Sequence, residues 1–202
     1  MIIFDYVNRP IVLVVSGPSG AGKDTVLNRM KERNVPADFI ITLTTRPPRD
    51  YEIDGVNYYF VAEPVFMKMI ENGELLEHAR VYGNWYGVPK KQVAQSIQRG
   101  RDAIIKVDIQ GAATIKKSMP EACFVFVTPP DASALSYRLR KRNTESVSDL
   151  ELRLKTAGAE FSQLHLFDYV VLNCDGEVDA AVDDLISIIR SEKLKLRSER
   201  QA

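Results

Sequence analysis

The chain has 202 residues, 45% hydrophobic and 27% charged, with 27 basic side chains balanced by 27 acidic ones. That length suits one domain with a sizeable core and small inserted lobes. The charge balance gives no global field to attract nucleic acid, and no apolar run reaches the roughly 18 residues of a membrane span.

The N-terminus, Met-Ile-Ile-Phe-Asp-Tyr, lacks the basic segment of a secretory signal. Cys123 and Cys174 lie in or beside apolar runs and read as small buried hydrophobes rather than a disulfide or metal site. A cytoplasmic protein is expected.

The first predicted strand, Ile11–Val15, runs into the most informative stretch. Residues 12–25 read Val-Leu-Val-Val-Ser-Gly-Pro-Ser-Gly-Ala-Gly-Lys-Asp-Thr. A helix over Asp24–Arg33 follows, with Val26, Leu27 and Met30 on one face. Strand, glycine loop and helix form the context of a phosphate-binding loop. Glycines let backbone N–H groups turn inward around an anion, and the helix N-terminus adds partial positive charge. The loop comprises Gly17, Pro18, Ser19, Gly20, Ala21, Gly22 and Lys23. Its spacing has one defect: Asp24 stands where a Ser or Thr hydroxyl normally binds Mg²⁺, and Thr25 comes one residue too late.

A short strand is expected at Phe39–Leu43. Residues 46–88 then break the strand–helix rhythm with Pro47, Pro48, a Tyr-Tyr-Phe strand and several glycines, the pattern of a small α+β insertion. Arg46 and Arg49, three apart beside stiffening prolines, can converge on one anion through bidentate contacts. Tyr58 offers a hydroxyl, and Glu77 and Tyr86 sit near glycine turns. Each of these residues alone reads equally as an ion pair, packing group or solvated position. Beside a phosphate loop, they suggest a second, acceptor phosphate.

The rhythm resumes with helix Lys90–Arg99, strand Ala103–Val107, helix Gly111–Met119, strand Cys123–Val127 and helix Ala132–Arg142. An arginine-dense stretch over 138–153, helix Asp149–Leu166, strand Tyr169–Leu172 and helix Val178–Arg197 complete the chain. Alternating strands and helices imply an α/β fold with a parallel sheet covered on both faces. His78 and His165 read as packing or surface residues.

Over about residues 10–190 the chain resembles the guanylate kinase family. The resemblance rests on the loop at 17–23 and on Thr44-Thr-Arg46-x-Pro-Arg49-x-x-Glu52-x-x-Gly55-x-x-Tyr58-x-Phe60. It rests further on Glu77, Gly83-Asn-x-Tyr86-Gly87, Val107-Asp108-Ile-Gln110-Gly111, Pro129-Pro130 and Arg138-x-x-x-Arg142. It implies a P-loop NTPase-type core (about 1–45, 89–135 and 155–202), a GMP-binding lobe (about 46–88) and a lid (about 136–154). The activity it implies is phosphoryl transfer from ATP, with Mg²⁺, to GMP.

By the same resemblance, Arg46, Arg49, Tyr58 and Tyr86 hold the GMP phosphate, with Glu52 in the same motif. Thr42, Glu77 and Asp108 read the guanine edge, and Val88 stands where a Ser or Thr hydroxyl commonly contacts guanine O6, a contact open here to a backbone amide instead. Lys23, the loop amides, Asp24 and Thr25 hold the ATP phosphates, and Asn173 lies near the adenine. Arg138, Arg142 and Arg153 close over the transferring group, and Asp24 is the candidate Mg²⁺ ligand. The nucleophile in such a reaction is an anionic phosphate oxygen, so the want of a convincing catalytic His or Ser is expected.

The chain departs from the family pattern at Asp24, at Lys106, where an acid is usual, at Val88, and at Asn143 for a lid glycine. Asp24 and Lys106 are predicted to face each other and form an ion pair. The competing expectation is that Lys106 points to solvent and Asp24 caps the helix. Two other functions stay open: a non-catalytic binding module, favoured only by Asp24, and a P-loop kinase for another phosphorylated acceptor.

Overall fold

A computed structural model describes residues 9–81, 83–141 and 161–195. The central sheet has five parallel strands in the order β2-β7-β1-β8-β9. These are β1 (Val12–Ser16), β2 (Ala37–Phe39), β7 (Asp102–Lys106), β8 (Cys123–Thr128) and β9 (Tyr169–Leu172). Every residue of β1 is buried because it lies mid-sheet, with helices over both faces.

The period-two pleat divides β1 between two cores. Leu13 and Val15 pack with Val26, Leu27 and Met30 of α1 (Lys23–Glu32) and with Val182, Leu185 and Ile189 of α6 (Val178–Leu194). Val12 and Val14 face the other way, toward Val93 of α3 (Lys90–Gln98), Ala112 and Ile115 of α4 (Ile109–Ser118), and Phe124. Helix α5 (Ala132–Lys141) follows β8.

A second sheet of four strands is mounted between β2 and β7, in the order β4-β3-β6-β5. It comprises β3 (Leu43–Thr44), β4 (Tyr59–Phe60), β5 (Leu75–Val81) and β6 (Asn84–Pro89), with α2 (Glu63–Glu71) between β4 and β5. It has its own small core of Leu43, Phe66 and Leu75. The β5–β6 pairing carries a register shift between Leu75 and Glu77, which sets Glu77 opposite Val88.

One expectation fails here. The apolar run 39–43 is not a single strand but the crossing between two sheets. Phe39 pairs with Ile104 in the core, whereas Leu43 pairs with Gly87 and Tyr59 in the second sheet. Between them the side chain of Gln92 takes the place of a strand neighbour. Its Oε1 accepts from the Ile41 N–H at 3.0 Å and its Nε2 donates to the Ile41 carbonyl at 3.1 Å. The second sheet therefore begins at Leu43 and ends at Pro89, a little outside the 46–88 stretch read as an insertion. The helix expected over 149–166 lies largely outside the described residues; its end, Leu164–Leu166, is a 3₁₀ turn.

Candidate active site

The glycine loop joins β1 to α1, as strand–loop–helix spacing requires. Gly17 has φ +140°, and a Cβ there would lie 2.0 Å from the Val127 carbonyl oxygen, so no other residue fits. Gly22, also in a left-handed conformation, caps α1 without a side-chain bond, which sets aside Asp24 as the N-cap. Lys23 Nζ donates to the carbonyls of Gly17 at 2.5 Å and Pro18 at 2.9 Å, curling over the loop.

The loop is braced from beneath. Asn173 is buried and donates through Nδ2 to the Ala21 carbonyl at 2.8 Å. Arg138 donates to the Asn173 carbonyl at 2.6 Å, to the Ala21 carbonyl at 3.3 Å, and through Nε and Nη2 to Asp175. The Asn173 side chain, expected near the adenine, also supports the loop backbone through its Nδ2.

A cleft of about 600 Å³ opens above the loop. Gly17, Ser19, Gly20, Ala21, Gly22, Lys23, Asp24 and Thr25 line one wall; Thr42, Arg46, Arg49, Tyr58, Glu77, Tyr86 and Asp108 line the rest. On the facing wall Arg46 donates to Glu52 at 2.8 Å, and Glu52 also accepts from the Arg49 N–H at 2.8 Å. Glu52 is buried and does not line the cleft; it holds the two arginines together. Burial opposes its charge, but Arg46 and the Arg49 amide outweigh it, so its pKa falls below the usual carboxylate value. Tyr58 meets Tyr86 edge-on at 6.1 Å.

Two carboxyls form the floor. Asp108 caps α4, accepting from the Gly111 N–H at 2.7 Å. Glu77 is 3% exposed, and its Oε2 lacks a hydrogen-bond partner among the described residues. Burial first, and then Asp108, push the Glu77 pKa up to about 8. Its carboxyl occupies the space a side chain at 111 would need, since a Cβ there would lie 2.9 Å from Oε2.

Lys106 Nζ donates to Asp24 Oδ1 at 2.5 Å and to Tyr58 Oη at 2.9 Å. The predicted pairing of Asp24 with Lys106 is present, and Lys106 points into the cleft rather than to solvent. Burial lowers the lysine pKa, but Asp24 and Tyr58 outweigh it and the net direction is upward.

Not every expected residue comes to the site. Val88 is fully buried in the core with Ile40, Val93 and Ala103, because β6 turns that face inward; its side chain is absent from the cleft wall. Pro18 contributes its backbone carbonyl. Arg142 and Arg153 lie outside the described residues. Ala79, Arg80 and Val81 of β5, with Gln110 and Gln163, also line the cleft. The missed signal was the strand itself: 75–81 carries two acidic or basic side chains and a histidine, which masks a hairpin.

A cleft with cationic side chains on both walls, above a glycine loop at the end of a parallel sheet, is the arrangement of a P-loop phosphotransferase. The family model described as guanylate kinase matches residues 8–192. The chain belongs to the guanylate kinase family. It is 46% identical over 188 residues to a guanylate kinase of Carboxydothermus hydrogenoformans, covering 93% of this chain and 91% of that one. It is 42% identical to one from Desulfitobacterium hafniense, covering 94% of each. The crystal structure of guanylate kinase from Anaplasma phagocytophilum superposes with a TM-score of 0.76 at 32% identity, covering 93% of this chain and 88% of that one.

Proposed function

We propose that the cleft carries phosphoryl transfer from ATP to GMP, giving ADP and GDP. The observation that carries this reading is the opposition of cationic groups on the two walls, Lys23 on one and Arg46 with Arg49 on the other, with a buried Glu77 carboxyl oxygen that has no partner among the described residues beside the acceptor wall. The loop amides and Lys23 hold the donor phosphates; Arg46, Arg49, Tyr58 and Tyr86 hold the acceptor phosphate. A GMP phosphate oxygen attacks the γ-phosphorus in line as the bond to the ADP oxygen breaks, and no general base is needed.

Guanine offers N1–H and a 2-amino group, both donors, which Glu77 and Asp108 accept. Adenine has an acceptor at N1 and no 2-amino group, so it cannot pair the ionised Glu77 carboxylate; sites of this kind discriminate by roughly four to five powers of ten. Thr42, buried with Oγ1 3.3 Å from the Lys106 carbonyl, completes that corner.

Asp24 fits a Mg²⁺ arriving with ATP: it is a hard oxygen donor on the cleft wall, 60% exposed beside Lys23. Bound there, Mg²⁺ would neutralise the donor phosphates. The second sheet, about 46–88, acts as the acceptor lobe, and the stretch 136–154 as a lid; both close to exclude water. Cys123 and Cys174 are thiols rather than a disulfide, which supports a cytoplasmic setting. No described helix is long and apolar enough to cross a membrane.

ADP release measured with GMP, AMP, UMP and no acceptor tests the proposal. GMP should be strongly preferred; equal turnover of AMP and GMP would overturn the guanine assignment.

A further inference from the structure

One ion pair in the cleft joins its two walls. Lys106 sits at the end of β7, where the pairing of Val15 with Lys106 holds its backbone beside the mouth of the phosphate loop. Its ammonium lies between Asp24, in the first turn of α1, and the Tyr58 hydroxyl on the acceptor wall. The Arg46 guanidinium lies 5.6 Å from the ring of the same tyrosine. The two ends of the pair differ in exposure. The Lys106 side chain is 16% exposed and Asp24 is 60% exposed. Arg46 takes its counter-charge from Glu52 on its own wall, whereas Lys106 takes its counter-charge from the donor wall.

We propose that Lys106 is a further ligand of the acceptor phosphate, restrained by Asp24 until the donor nucleotide binds. This rests on the reading of the two walls as donor and acceptor phosphate sites. A triphosphate on the loop brings several negative charges beside Asp24, which repel its carboxylate away from Lys106 or draw it to their counter-ion. The carboxylate is the exposed member of the pair and the one able to turn, and the charges arriving on the loop offset the contact it gives up. The lysine, fixed by its strand, exchanges Asp24 for an acceptor phosphate oxygen and keeps Tyr58. Its charge stays partnered throughout, which avoids the penalty of a stranded cation. The consequence is coupling: an occupied donor site raises acceptor affinity, and by linkage the reverse also holds.

Calorimetric titration of GMP and of guanosine decides the matter. It is run with and without a non-hydrolysable ATP analogue plus Mg²⁺, on the wild type, D24N, K106M and the double variant. In the wild type the analogue should tighten GMP binding. D24N should tighten GMP binding roughly tenfold without the analogue, the effect of one charge-assisted bond released to the phosphate, and should abolish the analogue's effect. K106M should weaken GMP binding and be indifferent to the analogue. Guanosine, lacking the phosphate, should bind all four proteins alike. In the K106M background D24N should do nothing.

If D24N tightens GMP equally in both backgrounds, Asp24 acts only by through-space repulsion and the proposal falls. Unchanged GMP affinity in K106M overturns it too. D24N is an exposed, isosteric change, so its comparison with the wild type stands even if K106M folds poorly. A wild type that binds AMP as well as GMP would sink the guanine reading instead, and the Lys106 comparison would then be read on either monophosphate.

Discussion

The floor of the cleft predicts that guanine binding expels a proton. Glu77 is buried, one carboxyl oxygen has no partner among the described residues, and its pKa lies near 8. At pH 7 about nine in ten ligand-free molecules carry the proton, and removing it costs about 1.4 kcal/mol. Guanine's donors require the ionised carboxylate, so binding shifts the equilibrium toward release. Isothermal titration of guanosine at pH 7, in buffers of differing ionisation enthalpy, should report nearly one proton released per site. Guanosine is preferred to GMP because its base reads the floor without a titrating phosphate. Affinity should rise about tenfold from pH 6 to pH 7 and level off above pH 8. Glu77→Gln should abolish both the proton release and the pH slope. A flat affinity from pH 6 to 8 with no proton release would refute the reasoning, as would a release that survives in Glu77→Gln. The same shift bears on folding. The group titrates near 4.5 when unfolded and near 8 when folded. Its contribution to stability is complete below about pH 4.5 and is lost as pH rises through 8. The thermal shift produced by GMP should accordingly grow with pH.

Three further outcomes follow from named contacts. Glu52→Gln leaves Arg46 and Arg49 without their shared carboxylate, so the GMP KM should rise roughly tenfold, by about 1.4 kcal/mol, with the ATP KM unchanged in steady-state assays. Gly111→Ala forces a Cβ to within 2.9 Å of Glu77 Oε2 and 3.0 Å of Val107 Cβ; the ratio of kcat/KM for GMP over AMP should fall, while ATP hydrolysis without acceptor stays level. Arg138→Met removes the brace under Ala21 and Asn173, and should lower affinity for a non-hydrolysable ATP analogue several-fold while guanosine binding holds.

The donor half of the site was legible because its signal is local. Gly17, Gly22 and Lys23 fall at loop spacing within seven residues, and the strand before them is an unbroken buried run. The core strands were legible for the same reason. The acceptor half was not legible from pattern alone, since Arg46, Glu52 and Glu77 have ordinary local contexts and meet only through tertiary structure. The crossing at residues 39–43 was hidden because its partner, Gln92, lies some fifty residues away. The bond from the Asn173 amide to the Ala21 carbonyl was hidden for a like reason, since the two lie far apart in the chain. Val88 is apolar, and β6 buries it, as its chemistry favours. The pairing of Asp24 with Lys106 was legible because parallel strand order brings the end of β7 beside the phosphate loop.

The brace beneath the phosphate loop has a consequence for the birth of the protein. The loop is complete by residue 23, yet its Ala21 carbonyl is held by Arg138 and Asn173, and Val127 crowds Gly17 from β8. On the ribosome, the N-terminal half of the chain would emerge carrying every residue of the nucleotide motif and none of the scaffold that shapes it. Competence to grip a triphosphate arrives only when β9 docks beside β8. Nucleotide capture thus follows the docking of β9, and the ligand seals a scaffold already assembled rather than seeding one still growing.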